Sequence, residues 1–257
     1  MKALITGASS GLGWEMAVVL AKMGYDIIAV ARREDRLKEL KKKLTTNVEI
    51  KCLDVTQPED LAQIAACLDE VDILVNNAGF GVFGDFCSTD LEQELKMIDT
   101  NVKAVHILTK LAAQKFKEKN HGYILNVASL ASFFPGPLFG GYYASKAYVL
   151  RLSQALHEEL RREKSKVKIS VLCPGPVRTE FEDVAKVRFG SGEEPAANLI
   201  IADKRKVAEY AIKQMFKGKL IIIPGALMRI GVFFRRILPE KMLSKILYTI
   251  QSKKLVQ

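Results

Sequence analysis

The stretch ALITGASSGLG, residues 3–13, decides how this chain is read. Ala3–Thr6 is a short apolar run of the kind that is buried on both faces of a sheet. It passes without a linker into a glycine turn, and a helical pattern follows over Leu12–Met23. Gly7, Gly11 and Gly13 are spaced GxxxGxG. Glycine allows a tight turn, close approach of backbone to a pyrophosphate, and a helix that starts hard against the strand. The first amides of that helix then face an anion. A glycine turn alone says little; its place between a strand and a helix gives it weight.

The same alternation runs outward from this unit. Strands are expected at Ala3–Thr6, Ile27–Ala31, Glu49–Leu53, Ile73–Val75, Tyr123–Val127, Lys168–Leu172 and Leu220–Ile223. Helices are expected at Leu12–Met23, Glu34–Leu44, Pro58–Leu68, Leu91–Lys117, Tyr142–Glu163 and Val207–Lys217. Repeated β-α-β units give a doubly wound parallel sheet between two layers of helices, a three-layer α/β/α domain. Ligands of such sheets bind beyond the carboxyl ends of the strands, where strand order switches. With 257 residues and no composition break, the expectation is one domain, residues 1–225, with a helical extension, residues 226–257.

Composition excludes several classes. No charged segment leads into a long apolar run at the N-terminus, so no secretory signal is expected. Cys52, Cys67, Cys87 and Cys173 are scattered without CxxC spacing, which fits reduced, mostly buried thiols in a cytoplasm and no metal site. The net charge of +10 is local: ten Lys/Arg and one acid, Glu240, follow from Lys213 onward, leaving the rest near neutral. These basic residues lack a nucleic-acid recognition motif, so no nucleic-acid partner is expected.

The end of the second strand bears on the cofactor. An acid there would bind a ribose 2′-hydroxyl, but the chain reads AVARRED, with Ala31 at that place and then Arg32 and Arg33. Guanidinium groups pair with a 2′-phosphate, which points to NADP (NADPH) over NAD. A competing motif overlaps the turn: GASSG, residues 7–11, is also G-x-S-x-G, the nucleophile elbow of a serine hydrolase. That enzyme needs a later histidine, and none follows His157.

TGASSGLG, NNAG (residues 76–79), Ser129, YYASK and PGPVRTE (174–180) occur in order and at spacings that resemble the short-chain dehydrogenases/reductases. The resemblance covers residues 1 to about 225 and is closest to the compact oxidoreductase branch. It implies a Rossmann-like fold. By resemblance, Gly7, Ser9, Ser10, Gly11, Leu12 and Gly13 hold the pyrophosphate and ribose. Arg32, with Arg33, meets the 2′-phosphate, and Asp54 and Val55 contact adenine. Asn76, Ala78 and Gly79 line the adenosine ribose side and brace the sheet. Pro174, Gly175, Val177 and Thr179 belong to the nicotinamide end, with Thr179 at the carboxamide. Asn101, Ser129, Tyr142 and Lys146 form a catalytic tetrad, with Tyr142 and Lys146 also touching the cofactor and Asn101 holding a water that links Lys146 to solvent. Trp14 stands where the family more often has a small or aliphatic residue.

The residue types suit the chemistry. Carbonyl reduction takes a hydride at carbon and a proton at oxygen, and a proton donor works best with a pKa near the working pH. A lysine beside a tyrosine is expected to lower the phenol's pKa. Ser129 is placed to hold the substrate oxygen. Tyr142 and Tyr143 lie four and three residues before Lys146, and helix geometry allows either. The family's Tyr-x-x-x-Lys pattern, with serine thirteen residues before the tyrosine, selects Tyr142.

GFGVFGDF (79–86) and LASFFPGPLFGG (130–141) are apolar and aromatic. They either line a pocket for a hydrophobic carbonyl or alcohol, or pack against core or a partner subunit. Residues 181–206 lack a period and are a candidate lid. In the tail, Leu227, Ile230, Phe234, Ile237, Leu238, Met242, Ile246 and Ile250 recur at helical intervals, interrupted at Pro239, with basic residues between. Such a face packs on the domain or a dimer mate, or lies on an anionic membrane. A homodimer or homotetramer through the long helices is implied by the resemblance. The leading function is an NADP-dependent oxidoreductase. A catalytically silent NADP-binding sensor is the alternative, and a serine hydrolase stands third.

Overall fold

In the computed structural model, residues 1–181, 202–235 and 237–252 are described. The elements, in chain order, begin with β1 (Lys2–Thr6), α1 (Gly11–Lys22), β2 (Asp26–Ala31), α2 (Glu34–Lys43), β3 (Val48–Cys52), α3 (Pro58–Ala66) and β4 (Ile73–Asn76). Then come α4 (Leu91–Ile98), α5 (Val105–Glu118), β5 (Tyr123–Val127), α6 (Gly140–Arg162) and β6 (Lys168–Leu172). The last are α7 (Lys204–Phe216), β7 (Ile221–Ile222), α8 (Ala226–Phe234) and α9 (Glu240–Ser252). All pairings in the seven-stranded sheet are parallel, in the order β3-β2-β1-β4-β5-β6-β7. β1 is thus flanked by β2 and β4, and the order reverses between β1 and β4.

Both sheet faces are covered. Ala3 and Ile5 point into one core with Met16 and Leu20 of α1 and Val207, Ile212 and Met215 of α7. Leu4 points the other way, into a core with Ile64 of α3 and Leu108, Ala112 and Phe116 of α5. Burial on both faces is why the middle of β1, Ala3–Ile5, is apolar at every position. A polar chain crosses the interior beside it. Asn76 donates to Thr109 and Asn126, and Asn126 donates to Ser153, tying β4 and β5 to α5 and α6. Buried amides in such a chain fix one arrangement of the elements because each bond needs its partner in place.

Three expectations change. The single helix over Leu91–Lys117 is two, joined by a π-helical turn, Asp99–Ala104. Thiols were expected to be mostly buried, but Cys52 and Cys87 are exposed. The apolar tail residues Leu227, Ile230, Phe234, Ile237, Met242, Ile246 and Ile250 are exposed. The tail's inner face is instead made by Met228 and Val232, which pack on a third core, and by Leu243 and Gln251. The proposed lid falls largely on residues 182–201, outside the described residues. Among the described residues no helix is long and apolar enough to cross a membrane.

Candidate active site

One cavity of about 570 Å³ opens along the carboxyl ends of the strands at the β1–β4 switch. Its cofactor end is the glycine turn. Gly7 and Gly11 have φ of 65° and 56°, a region that favours glycine. Gly13 has a different task. A Cβ there would lie 2.3 Å from the Gly7 carbonyl oxygen and 2.5 Å from Asn77 Nδ2, so α1 can start against the turn only without a side chain. Ser10, the residue before α1, does not cap the helix, and the first turn holds no acid. The N-terminal amides are therefore left to an anion, as a pyrophosphate site requires.

The neighbouring NNAG segment divides its two asparagines. Asn76 is 2% exposed and makes the internal polar chain, so it braces the sheet and does not line the cavity. Asn77 lines it in that place. Its Nδ2 donates to the Thr6 and Gly7 carbonyls at 3.1 Å each. Strand alternation explains the correction: Asn76 is the last residue of β4 and points inward, and Asn77 is the first beyond it. Ala78 and Gly79 line the cavity.

At the end of β2 the two arginines behave differently. Arg32 is exposed and pairs loosely with Asp54 at 3.7 Å. Arg33 reaches inward, donating to Ser9 Oγ at 3.2 and 3.3 Å and pairing with Glu180 at 2.8 Å. Glu180 also holds Arg36 at 3.1 Å. Burial opposes the charge on Glu180, but Arg33, Arg36 and Ser10 hold its carboxyl below the usual value. Asp54 is likewise opposed by burial and held low by hydrogen bonds from Thr56 and by Arg32. Val55, Pro174, Gly175, Val177 and Thr179 complete the lining. Neither Arg36 nor Glu180 was foreseen from the sequence.

The reactive end gathers Ser129, Tyr142 and Lys146 on the same cavity. Ser129 follows β5 and accepts from Ala131 N–H at 3.1 Å, which orients its hydroxyl. That hydroxyl faces the Tyr142 phenol closely enough to oppose the effect of burial on it. Lys146, 4% exposed, donates to the Val127 carbonyl at 3.0 Å and sits 5.9 Å from the Tyr142 ring centroid. Asn101 is wholly buried in the π turn. Its amide accepts from Phe80 N–H at 3.1 Å, donates to Phe80 O at 2.8 Å and donates to Ser145 at 3.0 Å. Its side chain thus fastens the loop after Gly79 to α6. The π turn supplies that reach, as such turns often do at functional sites.

The expected lowering of the tyrosine pKa is not what the site shows. Burial pushes Tyr142 up, and the Ser129 hydroxyl only partly offsets it. The reason is the apolar wall: Phe139 stacks on the phenol ring at 4.5 Å and Phe181 lies at 5.3 Å. Burial also pulls Lys146 down to about 8. The phenol is therefore neutral and the amine mostly charged near pH 7.

This gives a signed pH prediction. A lysine whose folded pKa lies below its unfolded 10.5 binds fewer protons when folded between pH 8 and 10.5. Stability attributable to it therefore rises with pH across that window and carries its full penalty below it. Denaturant unfolding of wild type and Lys146→Met should show wild type gaining on the variant from pH 8 to 10.5. A constant difference would contradict the burial argument. Taking the difference removes Cys173 and Tyr143, which burial pushes up to about 12 each and which act in the opposite direction.

Comparison with known proteins agrees with this geometry. The chain is 35% identical over 192 residues to the farnesol dehydrogenase of Aedes aegypti, covering 70% of this chain and 78% of that protein. It is 34% identical over 216 residues to an NADP-dependent 3-hydroxy acid dehydrogenase of Escherichia coli K12, covering 81% and 86%. A short-chain dehydrogenase from Sphingobium yanoikuyae, solved in complex with NADPH, superposes with a TM-score of 0.80 at 30% identity, covering 90% and 91%. The family model for short chain dehydrogenases matches residues 1–187, and the chain belongs to that family.

Proposed function

We propose that this protein is an NADP(H)-dependent oxidoreductase that interconverts a carbonyl and an alcohol on a hydrophobic substrate. The observation that carries the reading is the Ser129–Tyr142–Lys146 group on a cavity continuous with the start of α1, whose first turn has no side-chain cap and no acid of its own. The residues fit the cofactor. Ser9, Ser10, Gly11 and Leu12 would hold its pyrophosphate, Arg32 and Arg33 its 2′-phosphate, and Asp54 and Val55 its adenine. Ala78 and Gly79 would flank the ribose, and Pro174, Gly175, Val177 and Thr179 the nicotinamide. When bound, NADPH supplies the hydride.

The chain's own groups handle the proton. Ser129 fixes the substrate oxygen beside the Tyr142 hydroxyl. In reduction Tyr142 gives its proton to that oxygen, and the resulting phenolate lies beside the Lys146 ammonium. The cation compensates the charge that burial would otherwise forbid. Lys146 then returns a proton to the phenolate. The apolar rings of Phe80, Phe83, Phe139 and Phe181 around Tyr142 exclude water and favour a hydrophobic partner.

The tail and helices suggest further contacts. Leu227, Ile230, Phe233 and Phe234 of α8, Ile237 after it, and Met242, Ile246 and Ile250 of α9 lie in solvent, with Arg229 and Lys241 also exposed. An anionic membrane complements both the apolar and the basic character, whereas a second copy of the same face would repel it. We place the protein in the cytoplasm, peripheral to such a membrane. Leu91, Leu95 and Ile98 on α4 and Tyr148 on α6 are also exposed, which suits subunit pairing through these helices.

Four measurements test these readings. In a survey of hydrophobic ketones with NADPH, Tyr142→Phe should abolish turnover and Tyr143→Phe should not; the reverse would overturn the assignment. In the same assay Arg32→Ala/Arg33→Ala should lose about a hundredfold or more in kcat/KM for NADPH with little change for NADH, each charge-assisted bond contributing about 1.5–3 kcal/mol. Equal loss with both cofactors would remove the 2′-phosphate assignment. Vesicles containing phosphatidylglycerol should sediment the full chain and not a chain ending at residue 225, and no difference would exclude the membrane contact. Light scattering should give a dimer or tetramer; a monomer at micromolar concentration would exclude subunit pairing.

A further inference from the structure

The last helix turns one polar residue inward. Gln251 is 2% exposed, although Tyr248 and Ile250 beside it lie in solvent. It lines the same cavity as Ser129, Tyr142 and Lys146. Its Nε2 donates to the Tyr143 hydroxyl at 3.0 Å. Tyr143 is itself held in place. Gly136 lies so close that a Cβ there would come within 2.2 Å of the ring, and the Phe139 ring is 6.0 Å away.

This pair has capacity left over. A hydroxyl that accepts one bond still has its own proton to donate. Gln251 also carries an amide oxygen, and Tyr143 is its side chain's one hydrogen-bond partner among the described residues. A donor and an acceptor thus stand side by side on a cavity that Phe80, Phe139 and Phe181 also line. Buried polar groups with unmet capacity cost stability, and a ligand that meets both recovers it.

The pair is neutral, and the cavity's charges are engaged elsewhere. Arg32 is with Asp54, Arg33 with Ser9 and Glu180, and Lys146 with Val127. A carboxylate, which only accepts, would face the Gln251 oxygen with no cation assigned to it. A hydroxyl donates to that oxygen while accepting from Tyr143, and a carboxamide does the same with its N–H and C=O.

We infer that Gln251 and Tyr143 form a specificity subsite that binds a neutral polar group, a hydroxyl or carboxamide, at the far end of a hydrophobic carbonyl or alcohol substrate. The inference rests on the oxidoreductase reading of the same cavity. It makes α9 a working wall of the pocket, supplied by the extension and not by the β-α-β core.

The test compares 2-alkanones with ω-hydroxy- and ω-carboxy-2-alkanones of matched chain length, using the full-length protein. In wild type the hydroxy-to-plain ratio of kcat/KM should peak at one chain length at about tenfold, the value of one neutral hydrogen bond. The ratio should fall toward one in Gln251→Leu and in Tyr143→Phe, and the double variant should be no lower than the worse single one. Circular dichroism verifies that each variant folds. Calorimetric Kd values for the same ketones with the NADP-saturated protein read the subsite without turnover. A tenfold preference in Kd without any turnover would support the subsite and overturn the redox reading instead. No hydroxyl preference at any length, a preference that survives both variants, or a preference for the carboxylates would overturn the inference.

Discussion

Thr6 and Asn77 hold together the crevice on which the whole site depends. The Thr6 hydroxyl accepts from the Asn77 and Ala78 amides at 3.0 and 3.1 Å. Asn77 returns two bonds to the Thr6 and Gly7 carbonyls. These bonds fix the ends of β1 and β4 where the strand order reverses. Gly13 then lets α1 begin within contact of Gly7, aiming its free amides into the gap. Without that close approach the helix would stand off, and the anion site and the reactive group would not share one cavity.

The reactive end is built on the other side of the same junction. β5 delivers Ser129, and α6 delivers Tyr142 and Lys146 on one face. The π turn before α5 carries Asn101 across to clamp Phe80, so the loop after Gly79 stays beside α6. The price of this arrangement is burial. Burial opposes charge on both Tyr142 and Lys146. The aromatic wall that raises the phenol's pKa is also the ground on which an apolar substrate is proposed.

Much of this was legible in the chain. Short apolar strands alternating with helical periods gave the sheet, with every strand placed to within a residue or two, because two-sided burial leaves an unambiguous run of Ile, Leu and Val. The glycine spacing located the tight turn at which α1 starts. Choosing between Tyr142 and Tyr143 needed the family pattern, since either spacing reaches Lys146 on a helix. Asn76 and Asn77 are chemically identical neighbours, and only the end of β4 decides which one turns inward. The π turn leaves no mark on apolar periodicity. In the tail the dominant apolar stripe drew attention to the face that lies in solvent. The inner face, Leu243, Leu247 and Gln251 at four-residue intervals, was there to be counted, but a glutamine in an apolar row does not announce burial.

The central claim is that this junction passes a hydride to a carbonyl carbon while Tyr142 protonates its oxygen. Reduction of a hydrophobic ketone with NADPH deuterated at the nicotinamide C4, followed by mass spectrometry of the alcohol, tests it most directly. The account predicts one deuterium at the carbinol carbon for each cofactor oxidised, with the new hydroxyl proton drawn from solvent. Cofactor that binds tightly yet transfers no deuterium to any ketone in the series would contradict it.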